Sequence, residues 1–293
     1  MKKYIISAIK NLLLFFWRAH RFLVKKNTKF KNIHAGETCY IFGNGGSLKY
    51  YDISKLSKDI PAIVCAYSLV DKRMEALNVK YMVVTDSYCL YPWVYNTYPH
   101  VRKLQINRVR PIYKKIMEKA KNVHFFTSLT NFYATLFWKT RLNYVFHFGN
   151  KTPLSDDMAG NFSNVEGAAD VMLATAKYLG FSKAIVMGCD YFGVPPMLGH
   201  FYADYKPFEW NDPDNALKEY RSKRILPAKG IDVLVILPEG VISPDFKYDS
   251  YENYFGLAKK YQENYDFIDS SDLNMLHDAA KSLQTIMTYD KNE

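Results

Sequence analysis

The sequence predicts an α/β protein: one doubly wound, mostly parallel sheet with an N-terminal amphipathic helix and a lid over the sheet's carboxyl edge. Three observations predict it. Short apolar, β-rich runs recur along the chain between helical or loop segments, as strands joined by crossovers do. The first run, Cys39 to Phe42, leads straight into Gly43-Asn44-Gly45-Gly46-Ser47, which reads as a glycine turn and a helix start. No repeat, low-complexity tract or Pro-rich linker divides the body. One domain is therefore expected over 37–249, after an arm of residues 1–36 and before a helical segment, 250–293.

The arm comes first. Ile5, Ile9, Leu12, Leu13 and Phe16 recur at helical spacing, with Leu14, Phe15 and Trp17 widening the apolar face. The unbroken apolar run, Leu12 to Trp17, is six residues, against roughly twenty for a bilayer span. No signal-peptide core or cleavage site follows. Residues 1 to 31 hold nine Lys or Arg and no carboxylate, the first being Glu37. A basic amphipathic helix with aromatics suits the surface of an anionic membrane. Packing of that helix on the domain, or on another subunit of a homo-oligomer, is the alternative.

After the arm, strands are expected at Cys39 to Phe42, Ala62 to Ala66, Tyr81 to Thr85, Val123 to Thr127, Tyr144 to Phe148, Ala184 to Met187 and Val233 to Leu237. The clearest helix runs from Val165 to Leu179, is rich in Ala and Leu, and ends at Gly180.

Composition excludes some classes. The formal charge of +10 belongs almost entirely to the arm, so the body is near neutral and no nucleic-acid groove is indicated. Cys39, Cys65, Cys89 and Cys189 lie far apart in or beside apolar runs, without metal spacing, and read as reduced thiols of a cytoplasmic protein. The 24 tyrosines suit a surface that handles sugars, bases or a membrane interface, but more often belong to an aromatic core.

Doubly wound sheets bind ligands at the carboxyl ends of their strands. The residues falling there are Gly43 to Ser47, Ala66 to Ser68, Asp86 and Ser87, Gly188 to Phe192, and Pro238 to Gly240. Free N–H groups and the start of a helix favour a phosphate, so the first stretch outlines a nucleotide site with Ser47 as helix cap. It lacks the third glycine of a dinucleotide fingerprint and the Gly-Lys-Ser/Thr of a P-loop. Loops 153–166 and 193–210 are long and polar enough to cover the site. Asp156-Asp157 could hold Mg²⁺ or form a solvated turn. Asn164, with Asn161 and Ser163, could touch the donor or simply cap the helix.

Gly43-Asn44-Gly45-Gly46-Ser47-Leu48, Tyr178-Leu179-Gly180-Phe181 leading into Met187-Gly188-Cys189-Asp190-Tyr191, and His200-Phe201-Tyr202-Ala203-Asp204 carry a family resemblance. Together they resemble the bacterial lipooligosaccharide sialyltransferases of the Campylobacter and Haemophilus type, and the related 6-hydroxymethylpterin diphosphokinase-like proteins. The resemblance is scattered over residues 38 to about 245. It implies a single Rossmann-like domain with a lid, a CMP-activated donor (sialic acid or Kdo-like), a glycan or lipid-linked glycan acceptor, no metal and no cofactor, and inversion at the anomeric carbon. With the basic arm, a transferase of this kind is expected at a peripheral place on the inner face of the cell membrane, in lipopolysaccharide or capsule assembly.

Carried over, Gly43, Asn44, Gly45, Gly46 and Ser47 would hold the nucleotide, with Gly188 and Asp190 beside them. Asp86 stands where the family has an asparagine. Tyr202 matches a lid tyrosine that donates to the departing phosphate. Phe192 stands at the other lid tyrosine's place without a hydroxyl, and Tyr191 is the neighbour that could supply one. The family's basic histidine is missing, because no histidine lies between His200 and His277. His200 is then the remaining imidazole for general-base work near neutrality, or a loop residue that orders the lid. An ATP-using, Mg-dependent pterin-type diphosphokinase and a non-catalytic nucleotide- or glycan-binding protein are the competing readings.

Overall fold

The computed structural model describes residues 15, 18–84, 89–91, 110–146, 155–162, 167–195, 199–202, 229–256 and 266–278. Within them eight strands form a single sheet: β1 (Thr38–Phe42), β2 (Pro61–Cys65), β3 (Asn78–Val84), β4 (His124–Ser128), β5 (Leu142–Val145), β6 (Lys183–Met187), β7 (Asp232–Leu237) and β8 (Lys247–Ser250). Their order is β5-β4-β3-β2-β1-β6-β7-β8, and every neighbouring pair is parallel. The doubly wound architecture is thus present, with its reversal of direction between β1 and β6. Seven strands match the expected runs to within a few residues. The eighth, β8, has no counterpart among those runs; it lies at the sheet edge, and none of its four residues is fully buried.

Apolar layers cover both faces. Along β1, Tyr40 and Phe42 point into one layer and Cys39 and Ile41 into the other, following the two-residue period of a strand. With no face left wet, the central strands read as continuous apolar runs rather than alternating ones. Each fully buried Ile, Val or Phe contributes roughly 1.5–3 kcal/mol.

The long helix is Ala168–Leu179, capped by Gly180 at φ +94°, where a left-handed conformation favours glycine. A Cβ on Gly180 would also lie 2.8 Å from Asn32 Cα, because the end of the arm crosses there. The N–H groups of Asn32, His34 and Gly36 donate to the carbonyls of Tyr178, Leu179 and Gly180. The arm thereby satisfies carbonyls that the helix leaves without partners at its C-terminus.

Residues 20–36, which charge alone places in the arm, are therefore built into the domain. Val24 is buried against Leu129, Tyr144 and Phe146, and Phe30 packs edge-on to Phe126. Asn27 is fully buried; its Nδ2 donates to Tyr144 O (2.8 Å) and Met158 O (2.9 Å). Asn27→Ala should cost about 2–3 kcal/mol, because two buried carbonyls lose their donor. Urea unfolding at neutral pH checks this, and an unchanged midpoint would mean the arm is not part of the fold. The expected amphipathic repeat of residues 4–17 lies outside the described residues, except Phe15. Among the described residues no helix is long and apolar enough to cross a membrane.

Candidate functional site

The reversal between β1 and β6 places Gly43 and Gly188 side by side at the carboxyl edge, where doubly wound sheets form their crevice. The two loops are zipped together past the strand ends. Gly43 N–H donates to Met187 O (2.8 Å) and Gly45 N–H to Gly188 O (2.7 Å). A Cβ on Gly43 would sit 2.2 Å from Gly188 O, and one on Gly45 would sit 2.4 Å from Asp190 Oδ2. These glycines are required by the approach of one loop to the other.

Ser47 is fully buried and faces Asp190. Its N–H donates to Asp190 Oδ2 (2.9 Å) and its Oγ to Oδ1 (2.5 Å). Of the N–H groups expected to cradle a phosphate, those of Gly43, Gly45 and Ser47 already have acceptors within the protein. Ser47 caps no helix either: Gly46–Tyr50 is a short 3₁₀ turn with no side-chain cap. The chain's own carboxylate occupies the place expected for an anion. Burial pushes the Asp190 carboxyl up to about 6, while the two bonds from Ser47 act in the opposite direction.

The lid motif meets this turn from the other side. His200 forms an antiparallel bridge with Gly45, and Phe201 N–H donates to Asn44 O (3.0 Å). Tyr202 is buried; its ring stacks on His200 at 5.0 Å and meets Tyr67 edge-on at 5.6 Å. Asn44 remains half-exposed, with Oδ1 2.8 Å from Ser68 Oγ at the end of β2. The described part of the expected lid is thus anchored, since Val194 also pairs with Ile242; residues 196–198 and 203–210 lie outside the described residues. Burial pushes the His200 imidazole down to about 4, away from the neutral range expected of a general base.

Phe192 is buried against Phe246 at 4.8 Å, whereas its neighbour Tyr191 is exposed. Of the two, Tyr191 is the one that solvent or a ligand can reach. Asp86 and Asn164 lie outside the described residues. Asp156 pairs with Lys177 and Asp157 Oδ1 accepts from Ala159 N–H, so the two carboxylates serve the loop rather than converge. Among the described residues no group of three or more His, Cys, Asp or Glu could hold a metal ion.

No protein-family model matches the chain, and a search of curated proteins matches none. Among solved structures it is similar to the sialyltransferase CstII from Campylobacter jejuni in complex with cytidine-5'-monophosphate, at 13% identity and TM-score 0.35, over 82% of this chain and 97% of that one. Similarity to the same enzyme with CMP-3FNeuAc is 14% identity and TM-score 0.37, over 82% and 98%. For its complex with a trisaccharide acceptor and CMP the values are 14% and 0.32, over 81% and 97%. Likeness at these values says nothing about activity.

The pairing that sequence reasoning misses is Ser47 with Asp190. The residues are 143 positions apart, and each reads as a ligand contact as long as its partner in the fold is unknown.

Proposed function

We propose that the chain is a metal-independent glycosyltransferase that uses a CMP-activated sugar, sialic acid or Kdo-like, and transfers it with inversion to a glycan acceptor in cell-surface polysaccharide assembly. One observation carries this reading. The three stretches that carry the resemblance, 43–47, 188–191 and 200–202, meet where the strand order reverses among the described residues.

Because the N–H groups of Gly43, Gly45 and Ser47 are spent on the β6 strand and loop, side chains would supply much of the contact with the donor phosphate. Tyr191 and Tyr202 would donate to the phosphate as charge builds on it. Asn44, half-exposed in the turn, would face the nucleotide, and the sequence adds Asp86 and Asn164 as proposed contacts. The acceptor oxygen bonds to the anomeric carbon from the face opposite the phosphate. The bond to CMP breaks with its electron pair, and the hydroxyl proton passes to His200. Burial holds its pKa to about 4, so the imidazole is neutral at pH 7 but a weak base that takes the proton late, once the bond to the anomeric carbon has formed.

A thermal-shift series with CMP, UDP, GDP and ATP, each with and without Mg²⁺, tests the reading. A ligand at a hundredfold excess over Kd adds about 2.7 kcal/mol, a rise of several degrees for a chain of this size. CMP without metal is expected to give that rise. A rise with ATP and Mg²⁺ alone would instead support the diphosphokinase. Binding of CMP without turnover of any CMP-sugar would support a non-catalytic binding protein.

A further inference from the structure

Five of the nine exposed large hydrophobic residues among the described ones fall on two segments: Phe15 and Phe22 in the arm, and Tyr133, Leu136 and Phe137 after β4. Phe137 is 92% exposed and Phe22 57%. The segments touch through His20, whose Nε2 lies 3.0 Å from the Tyr133 hydroxyl and whose ring lies 6.2 Å from Phe22. Isolated apolar side chains on a surface need no explanation, but a contiguous group does.

Charge narrows the partner. The arm to residue 36 has no carboxylate, and neither does the stretch from 119 to 155, which includes the exposed Lys139. Arg18, Lys25 and Lys26 are exposed beside Phe22. Exposed aromatic and aliphatic side chains with cations close to them in the chain, and no acid on either segment, match an anionic lipid surface: rings enter the interface and cations meet headgroups.

We propose that Phe22, Tyr133, Leu136 and Phe137, with Arg18, Lys25 and Lys26, form a membrane-docking surface, so that the loop after β4 enters the interface together with helix Arg21–Lys25. The helix Arg21–Lys25 packs on Leu129, Tyr144 and Phe146, at the carboxyl ends of β4 and β5. All strands are parallel, so this is the edge that carries Gly43, Gly188 and His200. β4 lies three strands from β1, on the order of 14 Å away. Docking would therefore turn the candidate crevice toward the bilayer, and the acceptor would be a glycan borne on a lipid. That last clause rests on the transferase reading; the docking surface does not.

Co-sedimentation of the full-length chain with phosphatidylcholine vesicles, with and without phosphatidylglycerol, tests it. Binding should require the anionic lipid and weaken with salt. Leu136→Asp with Phe137→Asp should lower the bound fraction at least about tenfold, with the melting temperature and the CMP-induced shift unchanged. Vesicle binding that survives this double substitution would overturn the proposal. So would gel filtration showing a lipid-free dimer that the substitution splits while vesicle binding persists. Failure of the CMP shift with vesicle binding intact would remove the lipid-linked acceptor and leave the docking surface standing.

Discussion

Gly45→Ala is expected to destabilise the protein by about 3 kcal/mol or more, although its backbone asks nothing special of a glycine. Gly45 has φ −64°, a value any residue adopts, so the cost is purely steric. The added methyl would lie 2.4 Å from Asp190 Oδ2 and 2.6 Å from Gly188 O. Neither can withdraw alone: the first is held by Ser47, and the second accepts the N–H of Gly45 itself. Separating the loops would leave the buried Asp190 carboxylate without its donors, at roughly 1–3 kcal/mol for such a group, in addition to the overpacking. Gly240→Ala is the matched control. There φ is +81° but a Cβ would meet nothing within 4 Å, so only the left-handed strain of about 1 kcal/mol should appear. Urea denaturation of both variants separates the two terms. Equal losses would mean that the zipped junction between the β1 and β6 loops does not exist in solution.

The second large effect is a pH dependence that the wild-type protein hides. The folded-state pKa of Asp190 is raised from 3.8 to about 6, so the folded protein binds that proton more tightly than the unfolded chain. Stability from this group is full below pH 4 and lost as the pH rises to 6. The folded-state pKa of His200 is lowered from 6.5 to about 4, so the unfolded chain binds its proton more tightly. Stability from this group is full above pH 6.5 and lost as the pH falls to 4. Each amounts to about 3 kcal/mol, in opposite directions over nearly the same window. Asp190→Asn removes the first and keeps the packing, because an amide can accept from Ser47 N–H and donate to Ser47 Oγ. The variant should then weaken by about 3 kcal/mol relative to wild type between pH 6.5 and 4. His200→Gln should show the opposite slope. Unfolding measured at pH 4, 5, 6 and 7 would refute the assignment if the wild-type and Asp190→Asn curves ran parallel.

These expectations alter what the junction is for. In the sequence the glycines after β1 read as room for a ligand, and in the fold they are room for Gly188 and Asp190. The junction forms a floor beneath Asn44, His200 and Tyr202, held by the N–H groups of Gly43, Gly45 and Ser47. Removal of the whole arm up to residue 31 would test membrane contact poorly, because Val24, Asn27 and Phe30 would go with it. Substitutions at Leu136 and Phe137 leave those buried residues in place.

The residues themselves determined what depends on near neighbours. Apolar runs located seven strands, Gly180 marked the end of the long helix, and the uneven spread of charge separated a basic start from a neutral body. β8 escaped because a polar edge strand carries no apolar period: the run Lys247–Ser250 is held by its bonds to β7 rather than by buried side chains. Only the tertiary structure decided the strand order, the bridge from His200 to Gly45, the burial of Asn27 and the union of Ser47 with Asp190. Local periodicity sets whether a segment becomes strand or helix. The path of the whole chain sets which distant donor meets which acceptor, and that choice has no signature in either residue's surroundings in the sequence.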